Sequence, residues 1–194
     1  MDAPDVLKIT NGKKMYGSNS TLNIGRGTGL EEDRMKLIKD VQAIPFPGII
    51  EEPFETPAKT KNYEDGGCFS YLVTHPTGTM LIYASANYVP GKFRGVKVDT
   101  LYLATGVLGL QSEQSQDEYW HELVETTQPS LIIPVHWDNF GLPLNQTLSP
   151  LPGPFDNFTA AKNILDEKVR EAYNIHFQEE METIDLFDAD AFCG

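Results

Sequence analysis

The residue of this chain best suited to metal chemistry is a histidine at the end of an apolar run. His136 directly follows Leu131–Val135 in the stretch LIIPVHWDNF, and Asp138 stands two residues further on. Imidazole and carboxylate groups both bind zinc, and a catalytic zinc usually takes three such ligands plus a water molecule. His136 and Asp138 are therefore a candidate metal-binding pair that still needs a further donor.

The other histidines have plainer interpretations. His75 falls in an expected hairpin turn, where polar residues are common. His121 lies on the polar side of an expected helix, four residues after Asp117, and His176 follows the last expected helix, where a cation suits the dipole. For His136 too, a structural role is the alternative, because a neutral imidazole needs only two hydrogen-bond partners.

Other catalytic arrangements have no support in the sequence, so the catalytic residues are left unassigned. The chain contains no Gly-x-Ser-x-Gly motif, and Cys68 and Cys193 form no Cys-x-x-Cys pair, which predicts two free thiols. The GRGTG run at 25–29 follows no apolar strand and precedes no Gly-Lys-Ser/Thr, so it does not predict a phosphate loop.

Composition limits the partners. A chain of 194 residues with 40% hydrophobic content is expected to fold as one domain, 1–194. Its net charge of −13 disfavours nucleic acid, whose phosphates require clustered Lys and Arg. No apolar run is long enough for a membrane span, and MDAPDVLKIT lacks the features of a signal peptide, so we expect a cytoplasmic protein.

The chain divides into three parts by pattern. Residues 1–62 are rich in Gly and Pro and predict loops, with one short helix at Leu30–Lys39 whose charge order suits a helix dipole. Residues 63–144 form the expected core. Residues 145–194 predict a loop, a helix that begins near Phe158 after an Asp156 or Asn157 cap, and a loose acidic tail.

The expected core has a mixed pattern of strands and one helix. Two strands around a His-Pro-Thr-Gly turn predict a hairpin, and two short apolar runs predict strands buried on both faces. An amphipathic helix is expected between those two runs. The predicted elements are Cys68–Thr74, Thr79–Ala84, Thr100–Ala104, Gln116–Thr127 and Leu131–Val135. This order predicts an α/β protein with helices covering a mixed sheet, in which functional groups gather at strand ends.

The order HPTGTMLIYASANYVPG, VDTLYLATGVLG, EYWHEL and LIIPVHWDNF resembles the C-terminal half of a metallo-β-lactamase fold hydrolase. The resemblance covers roughly Tyr63 to Leu144. It implies a partial αββα sandwich, a mixed sheet with flanking helices, with zinc as the cofactor and His136 as a metal ligand. It also implies that the bridging aspartate of the family would fall near Ser85 to Asn87, where this chain has Ser-Ala-Asn.

The sequence lacks the His-x-His-x-Asp-His signature of that superfamily and contains no His-x-His pair. The resemblance therefore implies an incomplete zinc-dependent hydrolase, with reduced or no activity alone and a small-molecule substrate if active. The alternative is a non-catalytic relic or binding module that retains the late half of the fold, with His136 and Asp138 holding a loop by hydrogen bonds.

A half sandwich would leave one apolar sheet face in water, at about 25 cal/mol per Å². Three resolutions are open: the segment before the hairpin folds over that face, two chains pair as a homodimer, or the chain is a marginally stable fragment. The first combined with the third is the favoured expectation, because the segment has apolar pieces such as IPFPGII but few strand-like runs.

Overall fold

The computed structural model describes residues 3–37, 69–143, 146–169, 173–180 and 182–187. The chain groups into two compact units, residues 1–69 and 70–194. The single domain expected from the length stays a prediction. Cys68 and Cys193 lie outside the described residues, as does IPFPGII.

The first unit contains a small strand-helix-strand arrangement. Its elements are α1 (Ala3–Ile9), β1 (Met15–Gly17), α2 (Asn19–Gly27) and β2 (Met35–Leu37). β1 and β2 pair in parallel, and α2 connects them. Their buried apolar residues are Leu7, Met15, Leu22, Leu30 and Met35. The expectation of loops throughout 1–62 is therefore wrong for residues 3–37, because these elements are too short to show a clear period in the sequence.

Local signals define the ends of α2. Ser18 caps its start, with the side-chain oxygen accepting from the backbone N–H of Thr21 at 3.3 Å. After its end, Gly29 adopts a φ of +76° and its N–H donates to the carbonyl of Arg26. A left-handed residue that stops a helix in this way is usually glycine. GRGTG thus forms the end of a helix and the turn that follows it.

The helix predicted at Leu30–Lys39 is wrong. Residues Glu32–Arg34 make a single 3₁₀ turn, and β2 follows at once. Along β2, Met35 is buried and Lys36 is exposed, the alternation of a strand. The acidic residues that suggested a helix start have another role, since Glu32 pairs with Arg26 at 2.5 Å. Residues 38 and 39 lie outside the described residues.

The second unit is built on a five-stranded sheet in the order β3-β4-β5-β6-β7. Its strands are β3 (Ser70–His75), β4 (Gly78–Tyr83), β5 (Thr100–Ala104), β6 (Leu131–Val135) and β7 (Asn174–Ile175). β3 and β4 are antiparallel, and all other neighbours are parallel. The predicted hairpin and α/β class are confirmed, and β5 and β6 have the bounds expected from their apolar runs.

Two helices accompany this sheet. α3 (Glu113–Trp120) begins earlier than predicted, because Ser112 caps it by accepting from the N–H of Ser115. It continues into a π-helical turn at His121–Glu125. α4 (Phe158–Val169) begins where predicted, with the Asn157 side chain accepting from the N–H of Ala160. None of the helices in the described ranges is long and apolar enough to cross a membrane.

The two faces of the sheet are covered unequally. On one face, Leu81, Leu101 and Ile132 are paired across β4, β5 and β6 and are fully buried in a core with residues of α3 and α4. The alternate positions of β4 and β5 point to the other face, where Met80, Ile82 and Tyr102 are only half buried. Every residue of β3 is exposed. Toward β6 the same face is covered, since Leu131 and Ile133 are fully buried, so apolar surface in contact with water lies mainly on β3 and β4.

The described residues that follow α4 contact the sheet, including residues 186 and 187 of the predicted acidic tail. β7 pairs with β6, and the hydroxyl of Thr100 donates to the carbonyl of Leu186. The ring of Phe187 lies against Gly78 and stacks parallel to His75 at 6.4 Å. These are contacts of single residues with the sheet, and no periodic pattern in the sequence could reveal them.

Tyr119 joins α3 to the ends of two strands. Its ring is only 2% exposed, and its hydroxyl donates to the carbonyl of Ala104 at 2.7 Å and lies 3.3 Å from that of Ser85. Burial, followed by the neighbouring Tyr83, raises the pKa of Tyr119 well above its ordinary value. The folded protein therefore keeps this phenol neutral at alkaline pH.

The free energy of unfolding should fall as pH rises above about 10, because the Tyr119 phenol ionises there only in the unfolded chain. In Tyr119→Phe this fall should be smaller. The measurement is urea unfolding at several pH values between about 8 and 11. Tyr71→Phe is the control, since that side chain is 42% exposed. An equal alkaline loss in wild type and Tyr119→Phe would contradict the assignment.

Candidate functional site at the carboxyl edge of the sheet

The loops that follow β4, β5 and β6 lie at one edge of the sheet, because these strands are parallel and in register. We call this the carboxyl edge. It consists of residues 84–88, 105–109 and 136–140. Functional side chains of α/β proteins gather at such an edge. His136 is the first residue after β6, at the strand end the sequence predicts for it.

Two residues of the carboxyl edge have left-handed backbone conformations. His136 has a φ of 60° and Val107 a φ of 59°. For residues with a Cβ atom, and above all for a β-branched one, such a conformation costs about 1 to 3 kcal/mol. It persists only where surrounding contacts impose it. The contacts that do so here come from Gly106 and Asp156.

Gly106 allows the loops after β5 and β6 to touch. A Cβ atom on Gly106 would overlap the carbonyl oxygen of His136 and lie 3.1 Å from its ring Nδ1. The N–H of Thr105 donates to the carbonyl of Val135 at 2.9 Å, which extends the ladder past the strands. The backbone of His136 is thus fixed against the neighbouring loop, while the residue remains exposed.

Asp156 fixes the loop after β5. This carboxylate is 6% exposed and accepts from the N–H of Val107 at 3.0 Å and from that of Asn157 at 2.7 Å. The sequence offered Asp156 or Asn157 as the cap of α4. In the structure Asn157 caps the helix, and Asp156 ties its start to Val107. Sequence analysis does not predict the contact between Asp156 and Val107, because the two residues are 49 positions apart in the chain.

The loop after β6 is held by ring packing and by its backbone. Trp137 packs on Phe158 at 5.2 Å and on Phe177 at 5.7 Å between ring centroids. Asp138 makes an antiparallel bridge with Pro150. Within the described residues, no hydrogen bond links the side chains of His136 and Asp138. The candidate His-x-Asp pair is adjacent in sequence, but the two side chains do not act on each other.

The remaining histidines have local partners. His75 Nδ1 lies 2.7 Å from Thr77 Oγ1 in the hairpin turn. His176 Nε2 lies 2.8 Å from Glu182 Oε1. His121 Nδ1 lies 2.7 Å from Glu125 Oε2, and this hydrogen bond raises the pKa of the imidazole. The residue expected to face His121, Asp117, instead accepts from Lys168. These three histidines therefore have structural interpretations.

The described residues do not assemble a metal centre. Among them, no three His, Cys, Asp or Glu side chains lie close enough together to hold a metal ion. At Ser85 to Asn87 the chain offers no carboxylate, and Asn87 Oδ1 already accepts from the N–H of Tyr88 at 2.8 Å. The donor set around His136 thus does not fit a catalytic zinc, which needs three protein ligands.

A cavity lies elsewhere on the carboxyl edge, between the loop after β4 and the start of α3. Its volume is about 290 Å³. It is lined by Ala86, Asn87, Tyr88, Pro90, Leu108, Gln111 and Ser115. No sequence pattern predicts this cavity, because none of these residues belongs to a recognisable catalytic motif. Three separate segments have to fold before the cavity exists.

Comparisons with protein-family models, with curated proteins and with solved structures find no match. The resemblance to metallo-β-lactamase fold hydrolases stays a prediction from the sequence.

Replacing His136 by Gly should stabilise the protein relative to replacing it by Ala, by about 1 kcal/mol, because only glycine adopts a positive φ without strain. The measurement is the free energy of urea unfolding of the two variants. His75 supplies the control: it lies in β3, so His75→Gly should be less stable than His75→Ala. Equal stability of the two His136 variants would mean that the left-handed conformation is not imposed.

Removing the carboxylate of Asp156 should destabilise the protein by roughly 1 to 3 kcal/mol, since two backbone N–H groups lose their acceptor. Asp156→Ala is the variant, and its free energy of unfolding is the measurement. Asp166→Ala is the matched control, because Asp166 lies on α4, near Asp156 in the chain, but pairs with Lys162 at the surface. A similar loss in both variants would argue against a special role for Asp156.

Proposed function

We propose that this chain is an incomplete metallo-β-lactamase-like hydrolase, with His136 as its remaining metal ligand and with reduced or no activity alone. In this proposal the second unit is the late half of a partial αββα sandwich. If the chain is active, its substrate is a small molecule, and the fold does not select among ester, amide, thioester and phosphoester bonds.

The sheet supports the fold part of this proposal. A hairpin leads into parallel strands, and α3 and α4 cover one face of the sheet. In an αββα sandwich a second sheet packs on the opposite face. On that opposite face Met80, Ile82 and Tyr102 are half buried, while Leu131 and Ile133 of β6 are fully buried, so only the part toward the hairpin leaves apolar surface for a further layer.

The single observation that carries the functional part is His136. It is exposed at the carboxyl edge, directly after a buried strand, in a conformation that neighbouring loops impose. Backbone strain of this kind concentrates at functional sites. An imidazole with no hydrogen-bond partner among the described residues is free to bind a ligand from outside its own loop.

The low activity follows from the donor count. A single imidazole does not hold zinc tightly, so no metal-bound water is present to be activated. A working centre would need further donors from residues outside the described ranges or from a second copy of the chain. We therefore assign the described residues a binding role at His136 and derive no catalytic step through zinc.

The second candidate function is a non-catalytic binding module with the same half fold. The absence of a three-donor cluster among the described residues favours it over an active enzyme. The sequence predicts for this alternative that His136 and Asp138 hold a loop by hydrogen bonds, but no hydrogen bond links these two side chains in the described residues. In the structure Trp137 and the backbone hold that loop, which leaves the His136 side chain for a ligand.

After incubation with zinc and dialysis, the purified protein should retain well below one zinc per chain by elemental analysis. Its turnover of p-nitrophenyl acetate and bis-p-nitrophenyl phosphate should equal that of His136→Ala. The physical reason is the lack of a second and third ligand.

His121→Ala is the matched control, because this histidine is exposed and pairs only with Glu125. Stoichiometric zinc in wild type and His121→Ala that disappears in His136→Ala would support His136 as a ligand but contradict the incomplete, poorly active site that we propose. That result, with zinc-dependent turnover, would indicate a complete hydrolase whose other ligands lie outside the described residues.

A further inference from the structure

The cavity at the carboxyl edge has a wall that is fixed before any ligand arrives. Tyr88 donates its hydroxyl to Glu118 on α3, and the N–H of Gly91 donates to Glu122 one turn later at 2.7 Å. Tyr119 holds the same loop through the carbonyl of Ser85. Three contacts with one helix thus keep the loop after β4 in place.

These contacts also remove charge from the cavity. Glu118 accepts from Tyr88 and from Gln114, and these hydrogen bonds lower its pKa in that order, so it remains an anion directed at the loop. Neither Glu118 nor Glu122 lines the cavity. All seven lining residues are uncharged. Asn87 and Gln111 are exposed, and the lining offers a charged ligand no counter-charge.

Two side-chain amides in the wall keep hydrogen-bonding groups available. Asn87 uses its oxygen to accept from the N–H of Tyr88, and its NH₂ group has no partner in the described part of the chain. Gln111 uses its backbone N–H and carbonyl within the chain, to Leu108 and from Gln116. Its side-chain amide has no partner there. An amide offers both donors and an acceptor, which suits a planar group that has both.

The remaining lining consists of the Ser115 hydroxyl, which pairs with Ser112, and of apolar or aromatic groups. Ala86, Pro90, Leu108 and the ring of Tyr88 surround the amides. Ligand sites are typically apolar clefts with a few polar groups that fix orientation, and a volume of about 290 Å³ is at the small end of their range. The cavity thus has room for a ligand of about one ring.

We propose that this cavity, the amide pocket, binds a small neutral ligand that carries a flat apolar ring and a carboxamide or equivalent N–H and C=O pair. Asn87 donates to the ligand carbonyl, and Gln111 pairs with the remaining donor and acceptor. Binding needs neither a metal nor His136, which is not among the lining residues. The proposal is therefore independent of the hydrolase assignment.

Nicotinamide and nicotinate are the probes, because they share one shape and differ in the carboxamide or carboxylate. In a ¹H–¹⁵N NMR titration of the whole chain, nicotinamide should shift the signals of the lining residues with a dissociation constant on the order of 1 mM, as expected for so small a ligand. Nicotinate should bind at least about tenfold more weakly, since a carboxylate is not compensated in this lining.

Asn87→Ala and Gln111→Ala should each weaken nicotinamide binding roughly three- to tenfold, the loss expected for one hydrogen bond. Asn163→Ala is the matched control, on an exposed position of α4, and should bind like wild type. A thermal melt of each variant checks that it is folded. Equal binding of the two probes, or no shift of the lining signals by nicotinamide at about 20 mM, twenty times the expected constant, would overturn the proposal.

Discussion

The parallel register of β4, β5 and β6 is the constraint on which the rest of the second unit depends. It makes three strands end together, so that three loops meet at one edge. The side chains of Leu81, Leu101 and Ile132 are paired across the three strands and fully buried against α3 and α4, and this packing favours that register. His136, Val107 and the amide pocket all owe their positions to it.

The meeting of these loops explains why strain is tolerated there. Gly106 has no side chain, so the loops after β5 and β6 come into contact, and Asp156 draws the backbone of Val107 toward α4. The rigid sheet beneath supplies the stability that offsets the cost of two left-handed residues. The edge is thus a rigid surface, and any ligand that binds there meets groups already in position.

Sequence patterns predict the elements that have a continuous apolar run or an apolar stripe, and they miss the short elements that depend on contacts of a few residues. β5 and β6 were found because their apolar runs are continuous, and α4 because its stripe and cap agree. The sequence predicts a helix where β2 lies, because three residues are too few to show an alternating pattern and the charged residues around them follow the order that suits a helix dipole. β7 is shorter still, and only its partner strand defines it.

The candidate site divides in the same way. The place of His136 followed from the sequence, because the end of a buried strand is visible as the end of an apolar run. The roles of Asp156 and of the Asn87 and Gln111 amides did not follow, because their partners or neighbours come from distant segments. A hydrogen bond between residues far apart leaves no local pattern.

The π-helical turn after α3 gives that helix one residue more than a regular helix would need to cover the same distance. In this turn Thr126 donates both its backbone N–H and its hydroxyl to the carbonyl of His121, and the hydroxyl of Thr127 donates to the carbonyl of Leu123. Loss of a single codon in this turn would restore a regular helix and rotate everything beyond it by about 100° about the axis. The residues before and after the turn would then no longer face the core on the same side of the helix. The number of residues in this turn therefore helps to determine which side chains enter the core.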